Sequence, residues 1–157
     1  MNIFLLDKNL RKCAAYHNDK HVVKMILESA QMLCSAHWVC CGSAPYKLTH
    51  VNHPCCVWVR ESLDNYDFLC RLGLALCSEY TLRYGKVHKS QKVVEWCVAN
   101  KPKVAKKGLT RFVLAMPDEY KGDDVVMAYR RYYVGEKKSF ARYTRRMVPR
   151  WLIDGRK

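Results

Sequence analysis

Between Pro54 and Gly85 the chain reads PCCVWVRESLDNYDFLCRLGLALCSEYTLRYG, in which Trp58, Tyr66, Leu69, Leu72, Leu76 and Tyr80 recur at helical spacing. An apolar period near 3.6 residues does not fit a pleated sheet, whose faces alternate every two residues. No other segment alternates as a half-buried strand does, so the chain is expected to be all-α. Pro54 suits the first position of a helix and Gly85 its end, giving one long helix or two joined near Ser62. Upstream, Asp7 is placed to cap a short helix over KNLRKCAAYH, leaving MNIFLL as an extended lead-in. Asp19 is placed to cap a second helix running to about Cys40, where Gly42 stops it. A further helix covers about residues 90–99. After Gly122, with Asp123 or Asp124 as cap, DDVVMAYRRYYVGEKKSFARYTRRMVPRW resumes as helix. GSAPYKLTHVNHP and NKPKVAKKGLTRFVLAMPDEYKGDD are broken by proline and glycine and read as loops. With 157 residues, half of them hydrophobic, the chain can bury a core without metal or disulfides. Residues 1–157 are therefore read as a single helical domain.

Charge divides this domain unequally. Residues 1–100 hold 12 Lys/Arg against 8 Asp/Glu, a net +4, and residues 101–157 hold 16 against 6, a net +10. A basic C-terminal third predicts a polyanionic partner, nucleic acid before membrane. The candidate contacts are Arg60, Lys103, Lys106, Lys107, Arg111, Lys121, Arg130, Lys137, Lys138, Arg145 and Arg146. In AYRRYYVGEKKSFARYTRRMVPRW such cations interleave with aromatics that could stack on unpaired bases. For Tyr129, Tyr132 and Tyr133 packing in the core is the preferred alternative. AMPDEYK, with Asp118, Glu119, Tyr120 and Lys121, suggests a turn or helix start and no role.

The nine cysteines show no CxxC, are odd in number and in part follow helix-core spacing, as Cys70 and Cys77 do. They are read as reduced, small hydrophobic residues. MNIFLLDKNLRK does not resemble a signal peptide, and no run approaches the roughly 18 apolar residues of a membrane span. A cytosolic or nuclear protein, not a secreted one, is expected. Adjacent Cys55 and Cys56 are poorly arranged to share one zinc ion with a histidine.

One segment resists a purely structural reading. In HNDKHVVKMILESAQML, His21 and Glu28 are seven residues apart and share a helix face, with Lys24 between them and Gln31 and Ser35 beyond. Val22, Val23, Ile26, Ala30 and Leu33 take the other faces. The stripe is either an exposed Lys24–Glu28 pair worth a few tenths of a kcal/mol or the centre of a site. His17, His21 and Glu28 could hold a metal, but His17 precedes the cap at Asp19 and no HExxH completes a set. No metal or other cofactor is expected.

NDKHVVKMILESAQML, HVNHPCCVWVRESLDNY, LCSEYTLRYGKVHK, AMPDEYK and AYRRYY resemble a family of small proteins from bacteriophages and large DNA viruses. More distantly, residues 19–85 resemble the endonuclease V type pyrimidine-dimer DNA glycosylases, through the Asp-x-His … Glu segment of DKHVVKMILES and the helix that follows HPCC. This resemblance implies a compact helical fold that acts on double-stranded DNA in a virus-infected host cell and flips a nucleotide from the damaged duplex. It implies a Schiff base between an enzyme amine and deoxyribose C1′, with strand nicking as an AP lyase. Glu28 matches the family's essential glutamate and His21 its motif histidine. Leu27 and Gln31 stand where phage members carry arginine, and Asn2 stands where they carry the threonine whose amine attacks. Asn2 is large enough for Met1 to be retained. The amine is then that of Met1 or of Lys24, and the ordinary values of about 7.7–8.0 and 10.4 favour Met1. Two other functions use the same face: a nucleic-acid-binding protein without chemistry, and a nucleotide- or base-modifying enzyme.

Overall fold

The computed structural model describes residues 1–155, and among them every regular element is a helix, with no β-strand. Helix α1 is Leu10–Tyr16, α2 is Asp19–Cys41, α3 is Pro54–Glu61, α4 is Leu63–Tyr84 and α5 is Gln91–Ala99. The later part of the chain holds α6, Val125–Glu136, and α7, Arg150–Ile153.

Local chemistry sets most of these boundaries. Ser62 adopts an extended conformation and its hydroxyl accepts the Asp64 N–H at 3.2 Å, so the long apolar run is two helices, α3 and α4. Gly42 and Gly85 end α2 and α4 at φ 75° and 66°, the left-handed conformation that costs glycine least. Asp124 caps α6 by accepting the Met127 N–H at 2.9 Å. Two expected caps are corrected. Asn9, not Asp7, caps α1, and Asn18, not Asp19, caps α2 by accepting the His21 N–H at 3.0 Å. Asp19 is engaged instead by the Arg83 guanidinium at 2.9 Å and by Thr144.

Helices α2 and α4 lie against each other, with α1, α3 and α5 packed around them. A Cβ on Gly73 would approach Val94 Cγ1 at 3.1 Å and Ser29 Cβ at 3.7 Å, so the missing side chain lets α4 close on α2 and α5. Ile26, Leu33, Trp58, Tyr66, Leu69 and Leu76 fill the core, each contributing about 1.5–3 kcal/mol of burial. Seven of the nine cysteines are buried and all nine are free thiols. Burial pushes Cys55, Cys70 and Cys77 up to about 12, so these act as small hydrophobic groups. No helix among the described residues is long and apolar enough to cross a membrane.

The expected continuous helix to Trp151 is also corrected. Helix α6 stops at Glu136, and residues 141–149 form a non-helical strap with a turn at 144–145. Tertiary contacts hold the strap where a helix would have to break them. The first N–H of α2, at Asp19, donates to the Arg142 carbonyl at 2.8 Å, and Tyr143 Oη donates to the Tyr16 carbonyl. Arg146 grips Glu79 with two hydrogen bonds, at 3.0 and 2.9 Å. The AMPDEYK segment docks on α6. Tyr120 packs against Tyr132, bonds Glu136 and covers Gly135, where any side chain would collide with its ring.

Candidate active site

The extended lead-in runs as a buried thread. Ile3, Phe4 and Leu6 are buried because they fill the space between α2 and α6 that no helix occupies. The thread is fixed by polar contacts at every turn. Cys13 Sγ donates to the Phe4 carbonyl, and Arg130 Nε donates to the Leu6 carbonyl at 2.9 Å. Asn2 Nδ2 donates to the Ala115 carbonyl at 2.7 Å, and the Tyr129 hydroxyl donates to Asn2 Oδ1 at 3.0 Å.

This threading brings the chain start to the middle of α2. Glu28 is only 7% exposed. Its Oε2 accepts the Asn2 N–H at 3.0 Å and lies 3.7 Å from the Met1 amine. Its other oxygen, Oε1, is 3.6 Å from Lys24 Nζ, on a side chain 65% exposed. The Met1 side chain is buried, with Sδ 3.4 Å from Cys56 Sγ at the start of α3. Burial raises Cys56 to about 11, so its thiol stays neutral beside the amine. His53 caps α3 by accepting the Cys55 N–H at 3.1 Å. Partial burial and then the nearby N-terminal amine hold His53 below the ordinary histidine value.

Three of the four residues expected to form a catalytic group therefore converge: Met1, Lys24 and Glu28. His21 does not join them. Its ring stacks on Phe4 at 4.5 Å, meets Tyr133 edge-on, and pairs Nδ1 with the Tyr133 hydroxyl at 2.6 Å. Burial pushes His21 down to about 3 and His17, beside it, to about 4, so both rings are neutral. Asn2, Tyr129, His53 and Cys56 border the centre and were not expected among its catalytic residues. Tyr129 had a visible signal as a core aromatic, and Asn2 as the residue standing at the family's threonine position.

The cations expected to meet nucleic acid fall into two groups. Lys103, Lys106, Lys107 and Arg111 are exposed on a loop pinned to the α3–α4 junction, where the Leu63 N–H donates to Ala105 and the Gly108 N–H to Asp64. Among the described residues none of these four forms an ion pair. Others have internal partners. Arg130 bonds Leu6 and Asp7 and lies over the rings of Tyr16 and Trp151. Arg146 is bound to Glu79, Arg60 to the Val51 carbonyl at 2.6 Å, and Lys121 to Asp118. Lys137 lies over Tyr132, Lys138 donates to the Ile153 carbonyl, and Arg145 donates to the Leu82 carbonyl at the end of α4. Tyr129 and Tyr133 are fully buried, in agreement with the packing alternative.

A comparison with known families matches residues 1–93 to the one described as pyrimidine dimer DNA glycosylase. No curated protein and no solved structure matches the chain. The matched part holds the lead-in, α1 to α4 and the opening of α5, including Met1, Lys24 and Glu28.

Proposed function

The chain belongs to the pyrimidine dimer DNA glycosylase family, and from that premise we propose that it removes a damaged base from double-stranded DNA through a Schiff base on its own α-amine and then nicks the strand as an AP lyase. Family membership carries a DNA glycosylase-type repair function and a DNA substrate. The observation that supports the amine is the shared oxygen: Glu28 Oε2 faces both the Met1 amine and the Asn2 N–H.

Attack by the neutral Met1 amine forms the N–C1′ bond. The glycosidic bond breaks with its electron pair on the base, which takes up a proton. The amine gives a proton to Glu28, which passes it to O4′ as the sugar ring opens, leaving an iminium at C1′ and Glu28 again a carboxylate. A carboxylate this well excluded from water stabilises that cation strongly, because little solvent screens it. Glu28 then serves as base for a C2′ proton, the C3′–O bond breaks and phosphate departs. Water hydrolyses the imine and frees the amine.

Lys24 is the weaker candidate nucleophile. Its ammonium is in solvent, where it is better placed to meet a phosphate. His21 is a positioning residue: its neutral ring is the platform for Phe4, three residues from the reacting amine. Borohydride reduction on duplex DNA bearing an abasic site tests the proposal. A covalent protein–DNA adduct is expected. Its absence, with binding intact, would leave a DNA-binding protein without this chemistry.

A further inference from the structure

The turn between α4 and α5, GKVHKS, has no part in the chemistry above, yet it holds Val87 at 66% exposure between the exposed Lys86 and Lys89. A lone exposed valine is ordinary on a protein surface. Val87 differs because its turn is rigid and packs on α2, the helix that carries Glu28. The Gly85 N–H donates to the Thr81 carbonyl at 2.8 Å, and His88 Nδ1 accepts the Ser90 N–H at 3.1 Å. The Tyr46 hydroxyl donates to Ser90 Oγ at 3.0 Å, and the His88 ring meets Tyr80 edge-on at 4.9 Å. The same ring interacts with the Val23 carbonyl on α2.

Lys24, the residue after Val23, reaches Glu28 at 3.6 Å. Val23 and Glu28 are about 7.5 Å apart along α2 and about 140° apart around it, so the turn and the Met1–Glu28 centre lie at the two edges of one outward face of the helix. That face is itself part apolar, with Val23 41% and Leu27 39% exposed. Among the described residues Lys86 and Lys89 form no ion pair.

We infer that Val87 is a wedge that enters the base stack of duplex DNA at the lesion, filling the place of an extruded nucleotide while Lys86 and Lys89 hold the flanking phosphates. The inference rests on the proposed use of the Met1–Glu28 centre on duplex DNA. Swinging a nucleotide out leaves its neighbours unstacked, and an apolar side chain in the gap restores contact on both sides. Lysines on either side of it neutralise phosphates whatever the sequence. A rigid turn suits this task, since a mobile one would have to be ordered on binding.

The test uses a duplex with a thymine dimer and 2-aminopurine opposite it, whose fluorescence rises on unstacking, together with single-turnover cleavage of abasic duplex and abasic single strand. Val87→Ser should lose most of the fluorescence rise and slow cleavage of the duplex about tenfold or more, leaving the single-strand rate within about twofold. Val87→Ile should behave as the parent. Equal slowing on duplex and single strand, or no change on either, would overturn the wedge. The fluorescence needs no chemistry, so a parent that unstacks DNA without forming an adduct would overturn the Schiff base alone. A parent that binds the duplex without a fluorescence rise would overturn the wedge alone.

Discussion

The backbone N–H of Asn2 donates to Glu28 Oε2 at 3.0 Å, and this bond fixes the carboxylate beside the chain's first amine. Glu28→Gln keeps the length of the side chain and removes its charge. Glycosylase and nicking rates should fall by orders of magnitude, with DNA affinity kept within a few-fold. By contrast, Lys24→Ala removes a partner whose charge is in solvent, leaves Glu28 held by Met1 and Asn2, and should cost under about 1 kcal/mol of stability. A Glu28→Gln variant as active as the parent would remove Glu28 from the chemistry.

Binding should weaken steeply with salt, with a log–log slope of about −0.9 for each phosphate neutralised on duplex DNA. The unpaired Lys103, Lys106, Lys107 and Arg111 should carry part of that slope, so replacing all four with Ala should flatten it. Arg146→Ala should act differently, costing about 1–3 kcal/mol of stability through Glu79, toward the low end because Arg146 is 38% exposed. Titrations at several salt concentrations decide this. An unchanged slope in the fourfold variant would move the contact surface elsewhere.

Acid should destabilise the fold through its buried histidines. His21 is pushed down to about 3 and His17 to about 4 by burial, against about 6.5 in an unfolded chain. Below about pH 6.5 the unfolded chain takes up protons that the native rings refuse. Stability present above pH 6.5 is thus lost as pH falls toward 4, by up to roughly 2–3 kcal/mol per pH unit for the two together. Glu79 adds to the loss. Burial pushes it up, but hydrogen bonds from Arg146 and Arg83 outweigh that and hold it below the usual carboxylate range. Urea unfolding at pH 7 and pH 4.5 should show the difference, and equal midpoints would contradict neutral buried histidines.

His21 can be separated from the reacting groups by choice of substitution. His21→Phe keeps a ring under Phe4, whereas His21→Ala removes the platform. The phenyl variant should retain most activity and the alanine variant should lose about tenfold or more through a misplaced amine. A phenyl variant as inactive as Glu28→Gln would give the imidazole a chemical role.

The helices were legible because their signals are local: Pro54, Ser62, Gly85 and Asp124 act on neighbours within a turn. The strap was not, since Asp19 and Glu79 hold it from 125 and 67 residues away. The same distance in sequence hid the role of His21, whose partner Tyr133 lies 112 residues on. Spacing placed His21, Lys24 and Glu28 on one face, but a helix face is broad enough for Lys24 to reach solvent while His21 turns toward Phe4. Asp7 and Asp19 were plausible caps one or two residues from the true ones, and only their long-range arginine partners distinguish them.

Proteolysis of the borohydride-reduced complex and mass mapping of the sugar-bearing peptide tests the Schiff base most directly. The modification should lie on the α-amine of Met1, persist in Lys24→Ala and vanish when the α-amine is selectively blocked. An adduct on Lys24 Nζ, or one that survives blocking of the α-amine, would contradict the mechanism proposed for this centre.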